Sequence, residues 1–151
     1  LDRAAALKKL NHWIIEVPIR VQEIPEGEFA ERQRPDKWAK IEILGHLCDS
    51  ALTNLQRFVR AQYEPEPYKV LKYAQNDWVE LMNYRSLSTA RVLELWVSLN
   101  GQAAHVIAGI PDDKLQVPCD NGGESAVTLE WLVVDYVEHL EHHLGQIFGE
   151  L

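Results

Sequence analysis

The chain has 151 residues, 46% hydrophobic and 25% charged, the size and make-up of one soluble domain spanning 1–151 with a closed core. A net charge of −8 with no basic stripe argues against a nucleic-acid partner, since such binding draws its affinity from clustered Lys and Arg. There is no apolar run of about 18 residues and no signal-type segment, so no membrane partner and a cytoplasmic location are expected.

In the first segment Leu7, Leu10, Ile14, Val17, Val21 and Ile24 recur three or four apart, which predicts a helix over 2–24. Pro18 removes a backbone donor and predicts a kink or local break near Val17. Residues 25–37, with Pro25, Gly27 and Pro35, read as a loop. A second helix is expected over 39–62, where Ile41, Leu44, Cys48, Ala51, Leu55 and Phe58 form a stripe; Glu64-Pro65-Glu66-Pro67 ends it. Over 68–85 the pattern suggests a short helix from Gln75 to Leu81 capped by Asn76, with Tyr68, Tyr73 and Tyr84 as an aromatic cover. A connection this long suits a bundle with parallel neighbours. The third helix, 88–108, buries Leu93, Trp96, Val97, Ala104 and Ile107 and is stopped by Pro111. Residues 112–127 read as a loop, with a turn at Asn121-Gly122-Gly123 and two short extended pieces around it. Thr128 then caps a fourth helix that runs to the end of the chain. The expected fold is all-α, an antiparallel-type four-helix bundle with long crossover connections.

Three of the six histidines fall in Glu138-His139-Leu140-Glu141-His142-His143. At about 100° per residue, Leu129, Leu132, Val133, Tyr136, Leu140, Leu144 and Ile147 form one apolar arc. His143 lies inside it, His139 at its edge, and His142 on the polar side with Asp135 and Glu138. Two imidazoles four apart on an inward face, about 6 Å along the axis, can share a metal ion; the competing reading is that they bond to carboxylates or water. A third ligand must come from elsewhere, and His46 in Ile43-Leu44-Gly45-His46-Leu47-Cys48-Asp49-Ser50 is the best candidate. On its own helix, however, His46 shares a polar face with Glu42, Asp49, Thr53 and Arg57. Read from that wheel alone it is a surface residue, and a ligand only if the polar face lines a cleft. His12 and His105 lie opposite the apolar stripes of their helices and read as surface residues.

Other signatures are missing. Leu140 stands where a His-Glu-x-x-His protease needs Glu, paired Glu-x-x-His motifs of a di-iron bundle are absent, and neither a phosphate loop nor a Gly-x-Ser-x-Gly turn occurs. Cys48 reads as a small core residue and Cys119 as an ordinary loop thiol. Asn100 interrupts the third helix's apolar stripe, so its amide either bonds to neighbouring backbone or faces a polar pocket near the metal.

The run from Lys37-Trp38 through Gly45-His46-Leu47-Cys48-Asp49-Ser50, then Asn54 with Arg57-Phe58, Gln75-Asn76-Asp77-Trp78, and Thr128-Leu129-Glu130-Trp131 leading into His139-Leu140-Glu141-His142-His143 resembles the DinB-like (YfiT-type) superfamily. The combination of a Trp-led helix carrying one histidine with a late His-x-x-x-His helix carries the likeness along nearly the whole chain. The resemblance implies a four-helix bundle with an open divalent-metal site on His46, His139 and His143. It further implies a metal-dependent hydrolase or an S-transferase using a low-molecular-weight thiol, nickel or zinc as the ion, a small-molecule substrate and a homodimer. Asp49, Asn54, Arg57 and Asn100 are candidates for contacts behind the ligands or to substrate, with Arg57 suited to a carboxylate on a thiol cofactor; no catalytic residue is assigned. The alternative from another class is a non-enzymatic, stress-associated ligand-binding or dimerisation bundle with a vestigial or absent metal.

Overall fold

The structure is a computed structural model that describes residues 1–151. Four long helices make the bundle: α1 (Arg3–Gln22), α3 (Lys40–Arg60), α5 (Thr89–Gly109) and α6 (Leu129–Phe148), with a short α2 (Glu26–Ala30) between the first two. In the crossover that follows α3 lie β1 (Tyr68–Lys69), α4 (Gln75–Met82) and a single 3₁₀ turn, Tyr84–Ser86. After α5 come a second 3₁₀ turn, Asp112–Lys114, then β2 (Pro118–Asp120) and β3 (Val127–Thr128).

The ends of these helices follow local chemistry. Asp2 accepts from the Ala5 N–H, Ser88 from Arg91 and Thr128 from Trp131, each filling a backbone donor that a helix start leaves open. At the start of α3 the Glu42 carboxylate accepts from the Ala39 N–H at 2.9 Å and takes both prongs of Arg32 at 2.8 Å. Burial alone would raise the Glu42 carboxyl; the Arg32 and Ala39 bonds outweigh it and leave it lowered.

Several expectations are corrected. α1 passes through Pro18 without a break, because Val17 and Val21 on either side are fully buried and packing holds both halves across the missing bond. Part of 25–37 is helical, since burying Phe29 rewards one turn there. α4 is entered from Ala74, not Asn76, which sits inside the first turn, and no side chain caps it. Leu55 and Val97, expected in apolar stripes, are only half-buried. Cys119 is no loop thiol: it occupies the middle strand of a small sheet, β1 parallel to β2 and β2 antiparallel to β3, and is fully buried. α6 stops at Phe148, with Gly149 in the left-handed region.

Helix α1 packs on α5 and α6, and α3 packs on the same two, so the order around the bundle is α1, α5, α3, α6. Cross-contacts give the directions. The backbone of Arg3 meets Glu130, and Lys9 and Trp13 meet Glu141, so α1 and α6 run parallel. Cys48 meets Val92, while Phe58 and Asn100 both meet Tyr136, so α3 and α5 also run parallel. The Arg3 guanidinium, by contrast, reaches the carbonyls of Ile107 and Ile110 at the end of α5, so α1 and α5 are antiparallel. The bundle thus contains parallel as well as antiparallel neighbours, and the long connection 61–88 is what a parallel α3–α5 pair requires.

The N-terminal half of helix α3 is sheathed on every side. The helix contacts α5, α6, α4, α2 and the Tyr84–Ser86 turn, and every residue from Ile41 to Ala51 is buried. Its polar face of Glu42, His46, Asp49 and Thr53 is therefore interior. No helix is long and apolar enough to cross a membrane.

Candidate metal centre

α3 and α6 bring His46, His139 and His143 together, so that one ring nitrogen from each lies within 4.8 Å of the others. The ring centroid of His46 is 5.4 Å from that of His139 and 4.7 Å from that of His143; those of His139 and His143 are 4.4 Å apart. His46 is wholly buried, and neither of its ring nitrogens has a hydrogen-bond partner. A buried imidazole left this way is costly unless something else takes the lone pair.

The Nε2 atoms of His139 and His143 are 3.1 Å apart. That is close to the separation expected of two nitrogens each about 2.1 Å from one ion. Two neutral imidazoles could also share a proton at this distance, but His46 has no such recourse. Nδ1 of His143 lies 2.8 Å from Gln146 Oε1. An amide oxygen accepts only, so this bond places the proton on Nδ1 and leaves Nε2 as a lone-pair donor aimed at the other two rings.

Electrostatics favour the neutral, ligating form. Burial pushes His46 down to about 4, with His143 and His139 adding to the effect. Burial likewise pushes His139 down to about 4, helped by His143, His142 and Arg57. His143 is lowered by burial, against the Gln146 bond. The donor set and its unpartnered nitrogens fit a divalent cation with an affinity for imidazole.

Beside the triad opens a groove of about 880 Å³. Its wall includes Trp38, whose ring lies 5.2 Å from that of His46, and Gln146, with Asn76, Ile43 and a charged rim that includes Glu28 and Lys37.

The remaining candidates divide. Asp49 is buried; its Oδ1 accepts from the Tyr84 hydroxyl at 2.6 Å and its Oδ2 has no partner. Burial raises its carboxyl to about 6 against the Tyr84 bond. Asn54 donates to the Ser50 carbonyl and accepts from Arg57, whose Nε donates to the Leu71 carbonyl. Asn100 belongs to the bundle interior: it donates to the Trp96 carbonyl and accepts from the Tyr136 hydroxyl. His12, His105 and His142 are exposed. Sequence reasoning gave no site role to Gln146, Tyr73 or Tyr84. Gln146 was findable, three residues after His143 on one helix face, whereas Tyr84 reaches Asp49 only through the path of the crossover, which also carries Tyr73.

A family profile described as the DinB superfamily matches residues 16–147. A Halalkalibacterium halodurans protein named "Putative metal-dependent hydrolase BH0277" is 26% identical over 147 residues, covering 93% of this chain and 85% of the relative. Among solved structures, YfiT from Bacillus subtilis, described as a probable metal-dependent hydrolase with an unusual four-helix bundle topology, superposes with a TM-score of 0.84 at 20% identity, over 96% of this chain and 83% of that one. That likeness supports the fold, and the profile match over most of the length places the chain: it belongs to the DinB superfamily.

Proposed function

We propose that this chain is a divalent-metal-dependent hydrolase acting on small molecules, with the ion held by His46, His139 and His143. The observation that carries the reading is His46, fully buried with both ring nitrogens unpartnered and facing two further histidines. The names of two similar proteins point the same way. Bound there, a zinc or nickel ion would supply Lewis-acid polarisation of a carbonyl or activation of water. The chain's own residues supply the rest. Gln146 holds the His143 tautomer, burial keeps the three rings neutral, Trp38 walls off His46, and buried Asp49, with Oδ1 anchored by Tyr84, keeps an unpartnered Oδ2 one turn along α3 from His46.

The test is elemental analysis of tag-free protein after incubation with zinc or nickel and gel filtration. The expected result is about one equivalent per chain, falling below about a tenth in His46→Ala, His139→Ala and His143→Ala. Less than about a tenth in the parent chain defeats the reading. Metal-loaded protein is then assayed on ester and amide panels, with thiol-plus-electrophile mixtures beside them. Turnover of only the thiol mixtures would replace hydrolysis by S-transfer, and turnover of neither would favour a binding bundle.

A further inference from the structure

Six ion pairs occupy Arg3, Lys9, Arg20, Arg32, Arg34 and Arg60, and Arg57 is in none of them. It is half-buried, and no carboxylate oxygen lies within 4.0 Å of its guanidinium. The head is nonetheless held in place, by Nε to the Leu71 carbonyl at 2.8 Å and by Nη1 to Asn54 Oδ1 at 3.3 Å, with Asn54 itself tied to the Ser50 carbonyl at 2.9 Å. Both acceptors are neutral, so the positive charge is oriented but not neutralised, and Nη2 donates to nothing in the protein. A guanidinium is a planar fork that meets an anion through two parallel bonds, and taking its charge partly out of water is costly until an anion arrives.

The position of this charge is informative. Phe58, next to Arg57 on α3, packs on Tyr136 of α6, one turn before His139, and Leu71, which accepts from Arg57, lies two residues before Tyr73, whose hydroxyl is buried without a partner. On the same helix, the Oδ2 of buried Asp49 is also unpartnered. Asp135 of α6 is exposed and forms no ion pair with Arg57. The groove of Trp38 and Gln146 borders His46 from the N-terminal end of α3, whereas Arg57 stands three helical turns further along.

We propose that Arg57, with the Tyr73 hydroxyl, forms an anion subsite further along α3 from the three histidines, on the side away from the Trp38 groove, so that the substrate carries a carboxylate or similarly compact anionic group. This rests on the proposed hydrolase for the word substrate, but the subsite itself is testable without metal. A purely structural Arg57, pinning the crossover through Leu71, would affect stability and leave anion preference untouched.

The probes are N-acetylglycine and its neutral amide, N-acetylglycinamide, titrated into metal-free and zinc-loaded full-length protein while the Tyr73 and His139 ring resonances are followed by NMR. In metal-free protein the acid is expected to bind at least about tenfold more tightly than the amide, and Arg57→Gln to bring the ratio to about one with zinc content unchanged. Arg57→Lys, a point charge without the fork, should give an intermediate ratio. Equal binding of the two probes by the parent chain, or a ratio kept in Arg57→Gln, overturns the subsite. If Arg57→Gln does not fold, Tyr73→Phe decides: severalfold weaker acid binding with unchanged amide binding supports the proposal, and unchanged acid binding rejects it. Failure to bind zinc with anion preference intact would count against the metal reading alone.

Discussion

At the scale of single residues, the interior of this bundle depends on polar groups that satisfy one another. Asn100 and Tyr136 join α5 to α6 by a hydroxyl-to-amide bond in a region where water has no access. Tyr136→Phe removes the donor and leaves Asn100 Oδ1 unpartnered, so a loss of about 1–3 kcal/mol is expected in urea unfolding, with metal stoichiometry unchanged. Acid sensitivity is set by the same burial. His46 and His139 have values of about 4 in the fold against an ordinary 6.5, so on acidification the unfolded chain takes up protons first. Their contribution to stability is full above 6.5 and is lost as pH falls toward 4. Asp49 works in the opposite sense: its carboxyl lies at about 6 in the fold against 3.8, so its contribution is present below 3.8 and lost as pH rises through 6. Metal-free protein should therefore lose stability between 6.5 and 4, less steeply in His46→Gln and more steeply in Asp49→Asn. Denaturant midpoints across this range check the signs, and a flat profile in the parent chain would contradict them.

At the scale of elements, α3 and the Tyr84–Ser86 turn approach closely at Gly45. A Cβ on Gly45 would lie 2.1 Å from Tyr84 Cδ2 and 2.3 Å from Cγ. Glycine in a helix ordinarily costs about 1 kcal/mol relative to alanine, so Gly45→Ala would stabilise an open helix. Here it forces apart two packed elements and displaces the tyrosine that anchors Asp49, and a net loss of about 1–3 kcal/mol is expected. Gly101, in exposed α5 surface with nothing within 4 Å of its would-be Cβ, is the control: Gly101→Ala should gain about 0.5–1 kcal/mol. Thermal melts of the two variants should move in opposite directions. The same sheathing explains why the helical wheel misplaced His46. A wheel assumes one wet face, and α3 has none from Ile41 to Ala51.

At the scale of the molecule, the candidate centre joins α3 to α6, two elements about 90 residues apart along the chain at the histidines, so a metal held there would be coupled to folding. Zinc at about 100 times its dissociation constant should stabilise the fold by about 2.7 kcal/mol, less whatever the unfolded chain binds. Calorimetry should register this as a raised melting temperature in the parent chain and none in His139→Ala. The parallel α1–α6 and α3–α5 pairs set this geometry. Running α6 against α3 lets His139 and His143 face His46, and the crossover that permits it also carries Tyr73 and Tyr84.

Local chemistry in the chain was sufficient for the four long helices and for the Thr128 cap of the last, and for the inward facing of His139 and His143, because periodicity and capping act within a few residues. The likeness to the DinB superfamily added the third histidine. Only the tertiary structure decided that His46 is interior, that Cys119 sits in a sheet, that Pro18 does not break its helix, and that Arg57 is oriented but left unpaired. Each of these depends on what packs against a residue from distant parts of the chain, and burial and desolvation are properties of that packing rather than of sequence spacing.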